Sequence, residues 1–310
     1  MTDNLPPVAR PLAGMVAVVA GATRGAGRGI ATELGALGAT VVCTGRSTRA
    51  GLSDLGRERG RPETIEETAE QVTAAGGLGV PVRCDHLQEA DVGALAERVR
   101  TDFGGLDVLV NDVWGGERHS EWGKKAWELD LERGRAMLEG GLWTHIVTAR
   151  FLLPLLRPGA LIAEITDGDH WNYRKNLFYD LTKTGVMRLA LAWARELEGD
   201  PRGITSVSLT PGYLRSEEML AHFGVTEATW QDAVQQDPFF AESETPRFVG
   251  RALAHLAADP QRACFNGRAL ASWTLMDEYG FTDIDGRKPH AGSWFARQSE
   301  QAGGPGHVSS

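Results

Sequence analysis

An α/β fold, a parallel sheet wound with helices, is what this sequence predicts, and three observations predict it. Short apolar runs alternate with longer stretches of helical periodicity, a glycine-rich turn follows the first run, and no internal repeat or low-complexity tract interrupts the series. Val16 to Ala20 is the first strand. After the turn, Ile30, Leu34 and Leu37 fall on one helix face, and Thr40 to Thr44 is the second strand. The polar segment 47–62, rich in Arg, Gly and Asp, reads as a surface insertion. Gly79 to Arg83 is the third strand, followed by a helix N-capped by Asp91, with Val92, Leu95, Val99 and Phe103 inward and Gly104-Gly105 closing it. Leu106 to Val110 is the fourth strand, and a long helix covers about Arg133 to Leu153. Leu161 to Ile165 is the fifth, Leu181 to Leu197 is another helix, and Ile204 to Leu209 and Arg268 to Ser272 complete about seven strands.

Composition narrows the function. The 310 residues are 42% hydrophobic and 24% charged with 38 Gly, the profile of an ordinary globular chain, and no apolar run approaches the roughly 18 residues of a membrane span. The net charge of −9 disfavours a nucleic-acid footprint, because phosphate binding needs a basic surface. Three distant cysteines, Cys43, Cys84 and Cys264, suit buried reduced thiols rather than a disulfide frame or a metal site. The first residues lack a basic segment leading into an apolar core, so the cytoplasm is the expected compartment.

Two constellations carry chemistry. Gly21, Ala22, Thr23, Arg24, Gly25, Ala26 and Gly27 follow a strand and open a helix, where backbone N–H groups and the helix dipole can hold a pyrophosphate. Tyr179 and Lys183 stand at i and i+4 and so share a helix face, where an ammonium can act on a phenol whose ordinary pKa is near 10. The second strand ends Cys43-Thr44-Gly45-Arg46-Ser47, without the acid that NAD enzymes place on the ribose. Arg46 can meet a 2′-phosphate instead, so NADP(H) is preferred.

The GxxxGxG spacing, the YxxxK pair and the Pro211-Gly212 segment together resemble the short-chain dehydrogenase/reductase superfamily over about residues 12–275. That resemblance implies a single Rossmann-like domain with strand order 3-2-1-4-5-6-7. It implies that Gly21, Thr23, Arg24, Gly25, Ala26, Gly27, Arg46, Ser47, Asp85, Asn111, Tyr179, Lys183, Pro211, Gly212 and Ser216 bind the cofactor, and that Tyr179 and Lys183 are catalytic. The family serine falls in Ile165-Thr166-Asp167-Gly168. Thr166, 13 residues before Tyr179, is the expected occupant, with Asp167 the register-shifted alternative, whose carboxylate would repel a developing alkoxide. The family's relay asparagine should fall near Leu138 to Gly141, but no asparagine lies between Asp112 and Trp171. His145, one turn on, is either a substitute relay or a structural histidine. The resemblance also implies a substrate lid at 213–246, followed here by an extension at 276–310.

Asp112, Trp114, Asp167 and Tyr213 are substrate candidates. The expected function is NADPH-dependent reduction of a ketone or aldehyde on a bulky, apolar or aromatic small molecule, by a homodimer or homotetramer. The altered serine and asparagine positions keep two alternatives open, non-redox chemistry on the same fold and NADP(H) sensing without turnover.

Overall fold

The computed structural model describes residues 10–58 and 60–301. The elements run β1 (Val16–Ala20), α1 (Gly25–Ala36), β2 (Thr40–Gly45), α2 (Asp54–Glu58), α3 (Ile65–Ala75), β3 (Leu78–Arg83), α4 (Glu89–Phe103) and β4 (Leu106–Asn111). They continue with α5 (Leu131–Leu138), a π-turn (Glu139–Trp143), α6 (Thr144–Leu152), β5 (Leu156–Ile165), α7 (Leu177–Glu196), β6 (Thr205–Thr210), α8 (Glu217–Phe223), α9 (Pro246–Ala258), β7 (Ala269–Ala271), α10 (Ser272–Tyr279) and α11 (Ala291–Gln301). The seven strands form one parallel sheet in the order β3-β2-β1-β4-β5-β6-β7, as expected. All five residues of β1 are buried, which is why the run is continuously apolar: both faces of a central parallel strand are covered. One face packs Ile30 and Leu34 of α1 and Phe248 and Leu253 of α9, and the other packs Val92, Leu95 and Val99 of α4 and Leu152 of α6.

Several elements depart from expectation for local reasons. Helix α3 was not expected, yet Thr64 caps it by accepting from the Glu67 N–H and Gly76, at φ +114°, closes it. Asp91 lies inside the first turn of α4 and accepts the Asp85 N–H, while Gln88 holds the cap position. The long helix is interrupted at Gly140-Gly141 by the π-turn, and α7 starts at Leu177 rather than Leu181, because the Asn176 side chain caps it. Cys43 and Cys84 are buried thiols as expected, whereas Cys264 is exposed. Among the described residues no helix is long and apolar enough to cross a membrane, and no metal-binding cluster occurs.

Segment 47–62 is tied to the body rather than lying free. The Arg61 guanidinium reaches Glu218 at 3.0 Å. Between β6 and α9, Trp230 and Phe240 pack with Tyr213 and Phe223 into a small core of their own. The side chain of Arg215 is buried there, 4.4 Å from the Trp230 ring and 2.8 Å from Asp285 of the C-terminal segment. Residues 302–310 of the extension lie outside the described residues.

Candidate active site

The carboxyl ends of parallel strands share one edge of the sheet, where doubly wound folds bind ligands. Here that edge gathers the turn after β1, Asn111 to Trp114 after β4, Thr166 and Asp167 after β5, and the Pro211-Gly212 segment after β6.

Helix α7 presents the Tyr-Lys pair. The Asn176 side-chain oxygen Oδ1 accepts the Tyr179 N–H at 3.0 Å, which places Tyr179 in the first turn, with Lys183 one turn further on. Trp114 meets the Tyr179 ring edge-on at 5.6 Å and Trp122 does so at 5.2 Å. The Lys183 Nζ sits over the Trp114 ring, 4.1 Å from its centre. Both the phenol and the ammonium are therefore framed by indoles.

The residue facing the phenol is Asp167. Tyr179 Oη donates to Asp167 Oδ2 at 2.7 Å, whereas the buried Thr166 hydroxyl donates to the Lys183 carbonyl at 2.7 Å. The expectation for Thr166 is corrected by one residue, and the reason is where β5 lets go. Thr166 N–H still bonds to Leu209 of β6, so the pleat turns its side chain inward, and the chain leaves only at Gly168, φ +91°. Arg174 fixes the loop from outside by donating to the Asp167 carbonyl and to Asp180.

Burial and the neighbouring negative charge of Asp167 push the Tyr179 phenol well above its ordinary value. Burial draws the Lys183 ammonium down, against the opposing pull of Asp167 and Asp112. Asp112 itself is pushed up to about 7 by burial, opposed by Lys183 and His145 and by a hydrogen bond accepted from the Gly27 N–H. A methyl group on Gly27 would lie 2.5 Å from the Gly21 carbonyl oxygen and 2.8 Å from Asp112 Oδ2, so the close seating of the turn on the end of β4 requires glycine.

Gly140 and Gly141 occupy the stretch where the relay asparagine was expected. The Gly140 carbonyl of the π-turn accepts the Gly115 N–H, and the Trp114 ring lies against Gly141, where a side chain would collide with it. His145 is held between two partners: its Nδ1 meets the buried Glu164 at 2.7 Å and its Nε2 meets the Val113 carbonyl at 3.2 Å. Glu164 also accepts from Asn111 and Trp193, which pins the ends of β4 and β5 together. That charge inside the apolar run Leu161 to Ile165 was itself a legible signal, since a buried carboxylate demands partners.

The dinucleotide turn holds an anion from this chain. Gly25 N–H donates to Glu217 Oε2 at 2.9 Å, and Arg28 stands 3.9 Å from the same carboxylate. The turn's chemistry thus fits phosphate oxygens. Arg24, its guanidinium drawn down by burial, lies 3.8 Å from Glu63. Thr23 packs on Gly45 at the end of β2, directly before Arg46, and Ala26 is buried under the turn. Ser47 spends its hydroxyl on Ser53, and Asp85 accepts the Leu87 N–H to cap its own loop. Ser216 caps α8 opposite Gly25. Gly212 N–H donates to Glu244, whose buried carboxyl is pushed up to about 8. Tyr213 belongs to the aromatic core described above. Glu217, Glu244, Arg61 and Trp122 were missed by sequence reasoning, because each reaches the site from a distant segment.

Residues 21–271 match the protein family described as Enoyl-(Acyl carrier protein) reductase. The mouse protein named Dehydrogenase/reductase SDR family member 1 is 34% identical over 284 residues, spanning 89% of this chain and 85% of that protein. Its human counterpart is 33% identical over 286 residues, spanning 90% and 86%. A short-chain dehydrogenase structure from Mycobacterium thermoresistibile shares the fold, with a TM-score of 0.72 and 23% identity over 91% of this chain and 92% of that one. The chain belongs to the short-chain dehydrogenase/reductase superfamily, a class of oxidoreductases that bind a nicotinamide cofactor.

A dinucleotide phosphate seated on this turn would compete with Glu217 for the Gly25 amide. Glu217→Gln is expected to tighten dinucleotide binding by roughly three- to tenfold, because a charge-assisted contact is relieved and a carboxylate leaves the phosphate site. Titration of both proteins by cofactor fluorescence measures it, and weaker binding by the variant would mean that Glu217 assists the cofactor.

Proposed function

We propose that this protein is an NADPH-dependent reductase that reduces the ketone or aldehyde group of a bulky, apolar or aromatic small molecule. The observation that carries the reading is the Tyr179–Lys183 pair on one face of α7, walled by Trp114 and Trp122 beside the dinucleotide turn. Bound reduced nicotinamide would supply a hydride. Gly25 and Arg28 would hold the pyrophosphate, Arg46 and Arg24 the 2′-phosphate, and Lys183 the ribose. Tyr179 keeps its proton at neutral pH, so it is set to donate to the carbonyl oxygen as charge develops there. The same reading makes the protein a cytoplasmic homodimer or homotetramer, in keeping with Leu131 and Trp143 exposed on the α5–α6 face.

Cofactor choice is the direct test. NADPH is expected to bind at least about tenfold more tightly than NADH, and Arg46→Ala with Arg24→Ala to erase the difference, since each bidentate phosphate contact is worth roughly 1.5–3 kcal/mol. Equal affinity for the two dinucleotides in the unaltered protein would remove the NADPH half. Absence of NADPH oxidation across a panel of aromatic ketones and aldehydes would remove the other.

A further inference from the structure

The side chain facing the Tyr179 phenol is a carboxylate, and its surroundings compound the effect. Asp167 accepts a hydrogen bond from the Tyr179 hydroxyl, Glu117 accepts the Trp114 indole N–H at 3.0 Å, and the charge of Asp112 acts on the Lys183 ammonium. Against these stand Lys183, seated on the Trp114 face, and Arg174, whose guanidinium is committed to the Asp167 carbonyl and to Asp180. A reducible group approaching Tyr179 therefore meets a carboxylate and two indoles. An aromatic wall with a carboxylate beside it is the environment that favours a cation.

Two features make a ketone the poorer substrate and a third fits a cation. Reducing a carbonyl builds negative charge on oxygen next to Asp167, whereas reducing an iminium removes positive charge and builds no anion. A ketone consumes a proton along with the hydride, yet the relay asparagine is gone and Trp114 fills the space against Gly141. An iminium consumes no proton, because as the hydride forms the new C–H bond the C=N π pair becomes the nitrogen lone pair. Lys183 over Trp114 demonstrates that this indole face already seats a cation.

We propose that this site takes cationic substrates and that the group it reduces best is the iminium ion or protonated imine of a bulky aromatic amine. The inference rests on the nicotinamide-dependent reduction proposed above, with the reduced nicotinamide as hydride donor and its oxidised form as the other product. Asp167 supplies the counter-charge and keeps a neutral imine protonated. Trp122 supplies the cation–π wall and Trp114, whose ring holds Lys183, an apolar one.

The experiment compares an N-methyl dihydroisoquinolinium ion with tetralone, a neutral ketone of similar shape, and follows NADPH oxidation. It also measures binding of a quaternary dimethyl tetrahydroisoquinolinium ion, which has no C=N bond to reduce, by tryptophan fluorescence. The iminium is expected to exceed tetralone by about 100-fold in kcat/KM, a discrimination within the range of a single close charge contact. In Asp167→Ser the iminium rate should fall by about as much, the tetralone rate should rise, and cation binding should weaken about tenfold. Unchanged NADPH affinity in the variant reports an intact fold. Tetralone turned over as fast as the iminium, or cation binding indifferent to Asp167→Ser, overturns the proposal. Cation binding governed by Asp167 with no NADPH oxidation by either probe overturns the reductase reading, and the iminium as hydride acceptor falls with it.

Discussion

Tyr179→Phe is expected to lower NADPH-linked reduction of any ketone or aldehyde substrate by about 100- to 10,000-fold, the usual contribution of a positioned acid. The substitution removes one oxygen and keeps the ring. The edge-on contacts with Trp114 and Trp122 and the Asn176 cap on the Tyr179 N–H all survive, so the loss should lie chiefly in kcat. The pH profile of the unaltered protein carries a second readout. Burial and Asp167 raise the phenol above its ordinary value near 10, so the acid remains protonated across neutral pH, and the alkaline loss of reduction should begin above that value. Oxidation of an alcohol needs the phenolate, and at neutral pH it should be the slower direction. Steady-state rates with an aromatic ketone at several pH values check both statements, and carbonyl turnover unchanged in Tyr179→Phe would strip the residue of its role.

What could be read from the sequence follows from how local each feature is. The glycine turn and the Tyr-Lys pair are short-range patterns: one needs a strand followed by a helix, the other a single helical turn, and both stand where the pattern put them. Helix α3 had the same kind of signal, with Ile65, Ala69 and Val72 spaced along one buried face and a Thr64 to Glu67 cap, but the polar insertion before it drew the reading away. The choice between Thr166 and Asp167 was beyond local pattern, because it depends on whether β6 pairs with one more residue of β5, a long-range decision that reverses which side chain faces the phenol. Glu217 and Arg61 belong to the same class. Their meeting with the Gly25 amide and with each other's segments is set by how the region after β6 folds over the insertion, and no periodicity in either segment encodes that contact.

Gly29→Ala is expected to cost about 3 kcal/mol of stability, a fall in Tm of roughly 5 °C for a chain of this length, at the upper end of overpacking effects. Helices α1 and α9 cross with their backbones in contact, so an added methyl at Gly29 would lie 1.9 Å from the Pro246 carbonyl oxygen and 2.2 Å from its carbon. Those are main-chain atoms at the start of α9, fixed by the Thr245 cap and by Asp283, which accepts both the Thr245 N–H and its hydroxyl, so no side chain can swing aside. The reciprocal position is nearly as tight, since a methyl added at Gly250 would lie 2.5 Å from the Gly29 carbonyl oxygen. Prying the helices apart would also stretch the Glu33 carboxylate away from Arg247 and Arg251, now at 2.7 and 3.3 Å. The damage should reach the dinucleotide site, because α1 begins in the Gly25 turn and α9 begins two residues after Glu244, which holds the Gly212 N–H. Dinucleotide affinity and Tm should therefore fall together in Gly29→Ala. Gly14→Ala supplies the contrast: that glycine has φ +83° but open space around it, so the change should cost only about 1 kcal/mol of backbone strain and leave affinity alone. Thermal unfolding with a parallel cofactor titration separates the two cases, and a Gly29→Ala protein with unaltered Tm would mean that the α1–α9 crossing yields without cost.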